Sequence, residues 1–355
     1  MKKIVGILAA ATVATSLFAA DISAATKIKA NLFSYSADKT MGLLNEINDS
    51  HDYANPNLSM SVSDEKAGAT VKLTTDGGNT GVAMTTQTIW FKPVDMLKVT
   101  LGNSDVALNK ETIKWTESWT GLGTNGILVT VDVSGFTLDV GFACNGKTGD
   151  VSNFWMTKID GVDDPILAPM FVKGAYAADF GTIGAYVLLN RAPNPWDAFA
   201  PAYGIDPKDG AISNMDFGAG YKNTFDPVTV FANVIGHMED KFEWVRAEVF
   251  ASGNVDAFGF GAFVAPLIFV NSDLDQDAQV EVLAKVTYAL DACTPYACFK
   301  DQNILAKKFT STIEIGATGN CGLMGWNAWV QIDTGKGAEA NKVEISVPVE
   351  FTVSF

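Results

Sequence analysis

The sequence is nearly devoid of arginine, and past its first twenty residues it has no long hydrophobic run. Only Arg191 and Arg246 carry a guanidinium, only His51 and His237 an imidazole, and only Cys144, Cys293, Cys298 and Cys321 a thiol. Acidic residues outnumber basic ones 40 to 25, for a formal net charge of −15. Nucleic acid is disfavoured as a partner, because neutralising phosphates needs a basic stripe that is absent. No stretch of about 18 apolar residues follows the leader, which excludes a helical membrane protein. A Gly-rich phosphate loop with a following Lys is also missing. With two imidazoles, and with Ser50 beside His51 only in sequence, a nucleophile, base and orienting group are not assembled. Neither an enzyme nor a cofactor is expected.

Metal ligands are as sparse. The cysteines are too scattered for a thiolate site. The acidic runs at 160–164 and 273–277 lack the longer spacing of an EF-hand loop and read as solvated turns. No metal is expected. Cys293 and Cys298 flank Thr294-Pro295-Tyr296-Ala297, a segment that could close into a small disulfide loop in an exported, oxidising compartment.

What is present begins with Lys2 and Lys3, the apolar run from Ile4 to Ala14, and small residues at Ser16, Ala19 and Ala20, the layout of a secretory signal peptide. Residues 1–20 are assigned to it, with cleavage after residue 19 or 20 and a second candidate cut after Ala25. Residues 21–355 then form one domain. Its composition of 48% hydrophobic but only 18% charged residues, with 22 Phe, suits a wall with lipid on one side.

The decisive signal is period-two alternation in segments of about ten residues, the length that crosses a bilayer as a tilted strand. In the hairpin 127–142, Ile127, Val129, Val131 and Val133 share one face, Ser134 and Gly135 form the turn, and Phe136, Leu138, Val140 and Phe142 return. Thr130, Asp132, Thr137 and Asp139 occupy the other face, so the pattern is apolar outward and polar inward. Similar segments recur along the chain, about seventeen in all. An even number is required when both termini lie on the periplasmic side, so an all-β transmembrane antiparallel barrel of about 16 or 18 strands is expected.

Non-alternating stretches at 37–56, 145–164, 191–214 and 292–306 read as outer loops. The third is dense in Pro193, Pro195, Trp196, Phe199, Pro201, Tyr203 and Pro207, and either caps the barrel outside or packs against its inner wall as a constriction. On the second alternative Arg191, Trp196, Asp197, Asp206 and Asp209 are candidate pore-lining residues. Proline lacks the ladder donor and is expected between strands, as in the two similar turns around Pro93 and Pro227. Trp90, Trp115, Trp119, Trp155, Trp244, Trp326 and Trp329 read as interfacial girdle residues.

On the final segment Val343, Ile345, Val347, Val349, Phe351, Val353 and Phe355 share one face, and Lys342, Glu344, Ser346, Pro348, Glu350, Thr352 and Ser354 the other. Here the chain resembles bacterial outer-membrane β-barrel proteins of the porin class, whose last strand alternates in this way and ends in Phe. The resemblance implies residence in the bacterial outer membrane with its lipid as surroundings, and recognition of Val349, Phe351, Val353 and Phe355 by the barrel-assembly machinery. It further implies passive diffusion of ions and small hydrophilic solutes, and a homotrimer as an assembly found among porins of this size. The acidic balance would favour cations. The best-known general porins set a row of lumen arginines against loop acids; two arginines cannot reproduce that field, and lysines are flexible point charges, so no such eyelet is carried over. Two other readings remain: a surface adhesin or structural barrel with a plugged lumen, and a secreted soluble β-protein.

Overall fold

The computed structural model describes residues 19–36, 40–45, 57–75, 82–107, 121–143, 156–157, 166–167, 170–189, 214–239, 241–274, 276–306, 311–335 and 343–354. The first strands are β1 (Ala19–Tyr35), β2 (Met41–Asn45), β3 (Asn57–Ser63), β4 (Ala67–Thr75), β5 (Val82–Val94), β6 (Leu97–Ala107), β7 (Gly121–Val133) and β8 (Phe136–Ala143). A separate two-residue pair follows, β9 (Met156–Thr157) with β10 (Ile166–Leu167). The wall resumes with β11 (Met170–Ala178), β12 (Gly181–Leu189), β13 (Met215–Phe225), β14 (Val228–Met238), β15 (Phe242–Val255) and β16 (Phe258–Phe269). It ends with β17 (Gln279–Tyr288), β18 (Thr294–Asp301), β19 (Ser311–Cys321), β20 (Met324–Thr334) and β21 (Val343–Ser354).

From β3 onward each wall strand pairs antiparallel with the next, β8 joins β11, and β1 pairs with β21 to close the sheet. Strands β2 and β3 lie in succession beside β1: residues 31–35 pair with β2 and residues 19–25 with β3. The 19 strands of the sheet therefore fill 18 positions of a closed antiparallel barrel. The expected even count holds. The strand missing from the sequence tally is β18, which lies inside the stretch expected to be an outer loop.

Connections at the end that carries β1's start and β21's finish are short, with two residues each at 134–135, 179–180, 226–227, 256–257 and 322–323. Ser134 and Gly135 have φ of 51° and 82°, the left-handed pair that a two-residue hairpin turn requires. The regions around Pro93 and Pro227 both reverse the chain at this end, as their likeness suggested.

Proline, expected between strands, also enters them, and at three of those points the ladder is interrupted. Pro93 lies where the β5–β6 register shifts between Phe91 and Val94. Pro266 lies opposite the pairing gap between Arg246 and Val249 on β15. Pro348 lies on β21 beside the β1 irregularity between Asn31 and Ser34. At Pro93 and Pro348 the missing amide donor coincides with a bulge, and at Pro266 the register resumes unchanged past the gap.

Alternation divides the wall as expected. Outward positions carry Val234, Val249 and Ile268, each at least half exposed, while their strand neighbours on the inner face, Phe231 and Leu267, are buried. Among the described strand side chains, charges occupy inward positions; Glu243 and Asp301, buried at the loop-end limits of β15 and β18, are the exceptions. Outward Phe136, Tyr176, Tyr221, Phe225, Phe258 and Tyr288 gather near the short turns, where an aromatic girdle meets the membrane interface. Beside Tyr176, the hydroxyl of Tyr221 donates to the Phe180 carbonyl at 2.7 Å.

Ion pairs tie neighbouring connections at each rim: Lys66 with Asp95 at the short-turn end, and Lys241 with Asp273 at the other. The hydrogen bond and charge of Lys66 hold the Asp95 carboxyl below its ordinary range, and Lys241 does the same for Asp273. Asp64 is lowered by backbone amides of Lys66 and Ala67.

The β1 register bears on leader removal. Cleavage after Ala25 would delete or detach the whole segment that pairs with β3, whereas cleavage after residue 19 or 20 leaves most of that seam. N-terminal sequencing of the protein purified from membranes is expected to begin at Ala20 or Asp21; a start at Thr26 would contradict this closure of the barrel.

Candidate functional site

The only surface of a closed barrel that water and solutes share across the membrane is its inner wall, so the candidate site is built from inward side chains. On β13 to β17 these side chains form a packed, ion-paired arc. Arg246 donates from Nε to Glu248 Oε1 at 2.9 Å and from Nη2 to Glu281 Oε2 at 3.0 Å. Asn233 Nδ2 reaches the other oxygen of Glu248 at 3.3 Å. Glu248 is 0% exposed and Arg246 2%, so these charges are desolvated and depend on one another.

Beneath this row, toward the short turns, Phe231, Phe250, Phe263, Leu283 and Cys298 cluster with Ala265. Above it, His237 Nδ1 meets Asp216 Oδ1, its ring stacks on Trp244 at 5.3 Å, and Nε2 lies 3.7 Å from Glu239. Ile235, Trp244 and Leu267 form the apolar part of that layer. His237 and Asp216 are brought together only because β13 and β14 pair in register.

Elsewhere the wall is lined by hydroxyls, amides and charges. Thr130 donates to Asp139 at 2.6 Å, and Lys173 lies 3.6 Å from the same carboxylate. Trp329 Nε1 donates to Gln331, Gln331 to Asp333 at 2.7 Å, and Tyr296 to Asn327 at 3.1 Å. Lys285 sits over the Tyr296 ring at 5.1 Å. On β5 and β6, Lys92 and Lys98 converge on Trp90, whose ring lies across Gly68 of β4; a Cβ there would meet Trp90 Nε1 at 2.5 Å.

Several expectations change here. Trp90, Trp244 and Trp329 face inward and are not girdle residues; alternation says which residues share a face, but an aromatic is at home on either. Trp326, paired with outward Phe351, remains consistent with the girdle. Cys293 and Cys298 are both free, and the disulfide loop between them is not formed. Cys298 lies inside β18, where an extended chain rising about 3.3 Å per residue separates the two α-carbons well beyond the roughly 7 Å limit of a bridge. Arg191, Trp196, Asp197, Asp206 and Asp209 lie outside the described residues, as do Cys144, His51 and Phe355. Val349, Phe351 and Val353 stand on the outward positions of β21, with Phe351 41% exposed.

Arg246 and its carboxylates were not distinguishable from other charges in the sequence. The signal available was positional: Trp244, Arg246, Glu248 and Phe250 alternate with Val245, Ala247 and Val249 on one strand.

These features define a transmembrane β-barrel with an apolar exterior and an ionic interior. No family model and no curated protein matches the sequence. Among solved structures the chain is similar to an outer-membrane expressed OmpT of Vibrio cholerae, at 9% identity and a TM-score of 0.47, with 95% of this chain and 97% of that one covered. It is also similar to a triple mutant of Rh. blastica porin, at 16% identity and a TM-score of 0.48, over 94% of this chain and 99% of that one.

The buried ion network gives a direct expectation. Arg246→Ala strands two buried carboxylates, at a cost of about 3–5 kcal/mol. Urea unfolding in detergent micelles should show that loss, and the triple change Arg246→Met, Glu248→Leu, Glu281→Leu should recover most of it. An Arg246→Ala midpoint equal to that of the unaltered protein would mean the network contributes nothing to stability.

Proposed function

We propose that the protein is an outer-membrane porin, a water-filled barrel through which ions and small hydrophilic solutes diffuse passively. The observation that carries this reading is the division of the closed wall into an apolar outside and a charged, hydroxyl-rich inside over 18 strand positions, a size at which barrels leave an aqueous channel. Diffusion through such a channel needs no cofactor and no chemical step. Selectivity comes from width and from the charges that border the path.

Cation preference is the finer part of the proposal. It rests on the net charge of −15 and on inward carboxylates placed toward the longer-loop end, among them Asp216, Glu248, Glu281, Glu314 and Asp333. Export by the leader and recognition of β21 and the terminal Phe355 by the barrel-assembly machinery complete the route to the outer membrane.

A homotrimer is included in the proposal. On the outer face of β11 to β15, Gly174, Ala185, Ala219 and Ala247 leave a shallow depression of about 700 Å³ flanked by Tyr176, Tyr221 and Val249. Its flatness suits contact with another protomer. Light scattering of the purified protein is expected to give three chains per particle, and a monomer would remove this part alone.

Reconstitution into planar bilayers tests the central reading. Stepwise conductance is expected, with reversal potentials in a KCl gradient that favour potassium. Folded barrels without channels would reject the porin, and anion-favouring potentials would reject only the cation preference.

A further inference from the structure

We propose that the inner wall near the short-turn mouth holds an oxyanion-binding site made by Lys92, Lys98 and Trp90, whose ligand class is small phosphate-bearing solutes. This deepens the porin reading and rests on it for solute access. Three observations converge. First, Lys98 lies 4.8 Å and Lys92 6.0 Å from the centre of one indole ring, which places two ammonium groups within about 11 Å of each other. Neither forms an ion pair among the described residues. Asp95, in the turn between β5 and β6, is hydrogen-bonded to Lys66 and feels Lys92 only as its weakest attraction. Lys66 and Lys173, by contrast, are matched by Asp95 and Asp139.

Second, the convergence is built by the backbone. The β5–β6 ladder skips between Phe91 and Val94, so Lys92 and Pro93 oppose Lys98 across a bulge. Bulges re-aim side chains in this way and are enriched beside functional sites. Third, Trp90 is held flat by Gly68, where any larger residue would collide with the ring. The ring fixes where the ammoniums rest, and cation–π contact orders them without neutralising them.

Two ordered like charges repel, and a dianion between them removes that repulsion while accepting charge-assisted hydrogen bonds from both. The buried Thr100 pairs with Trp90 on the neighbouring strand and Thr88 is two residues away on β5, so hydroxyl groups border the position. These side chains point to the lumen and not to lipid, which favours a soluble phosphate over a phospholipid headgroup.

Isothermal titration of inorganic phosphate into the full, detergent-folded barrel tests the site without requiring conduction. Saturable binding is expected, weakened about tenfold or more, roughly 1.4 kcal/mol, by Lys92→Gln with Lys98→Gln. The pair Lys222→Gln with Lys285→Gln removes the same charge from the inner wall elsewhere and should leave binding nearly unchanged. Unshifted heat-modifiable gel mobility checks that each variant is folded. No saturable heat with the unaltered protein, or equal weakening by the two double variants, would overturn the site. Phosphate binding by a barrel that conducts no ions would reject the porin while leaving the site standing. Saturation by phosphatidic acid micelles but not by phosphate would assign the site to lipid and overturn the soluble ligand.

Discussion

Every other feature of this molecule follows from the need of its peptide groups for partners inside hydrocarbon. An unpaired amide or carbonyl there costs several kcal/mol, so a sheet crossing the membrane cannot keep an open edge. The wall meets that demand by joining β1 to β21 and by seating both β2 and β3 beside the long first strand. The same demand explains the positions of Pro93, Pro266 and Pro348. Each brings a missing donor into a closed ladder: Pro93 and Pro348 sit where the register slips, and Pro266 where two pairings are skipped without a change of register.

Closure forces charge to one side. With lipid outside, the described strands keep their charged side chains on the inner face, apart from Glu243 and Asp301 at the loop end, and two solutions appear there. Between β13 and β17 charges are paired, buried and locked against Trp244, Phe250 and Leu267. On β5 and β6 they are left half-exposed over an indole. Glu248 and Glu281 sit farther from the short turns than Lys92, Lys98 and Lys222, while Asp132 and Asp139 share the short-turn half of the inner wall with those lysines.

Much of this was legible in the chain because a strand's period is two and lipid tolerates no charge. The hairpin 127–142 and the alternation of β21 could be read directly. Strand β18 escaped because Pro295 and two cysteines within eight residues imitate a turn; in the barrel Pro295 occupies the strand's second position, where a missing donor does little harm. Strand β2 is five residues long, too short for alternation to register. The candidate sites were less legible for a different reason. Arg246 meets Glu281 across 35 residues and His237 meets Asp216 across 21, and such meetings depend on register between strands, which one chain's pattern does not encode.

The seam between β1 and β21 joins residues 25–35 to residues 345–354. Segments more than three hundred residues apart are thus the two lips of a single suture, and the chain between them cannot seal itself. Until the last dozen residues have been delivered, the growing sheet exposes a raw margin able to capture any other strand.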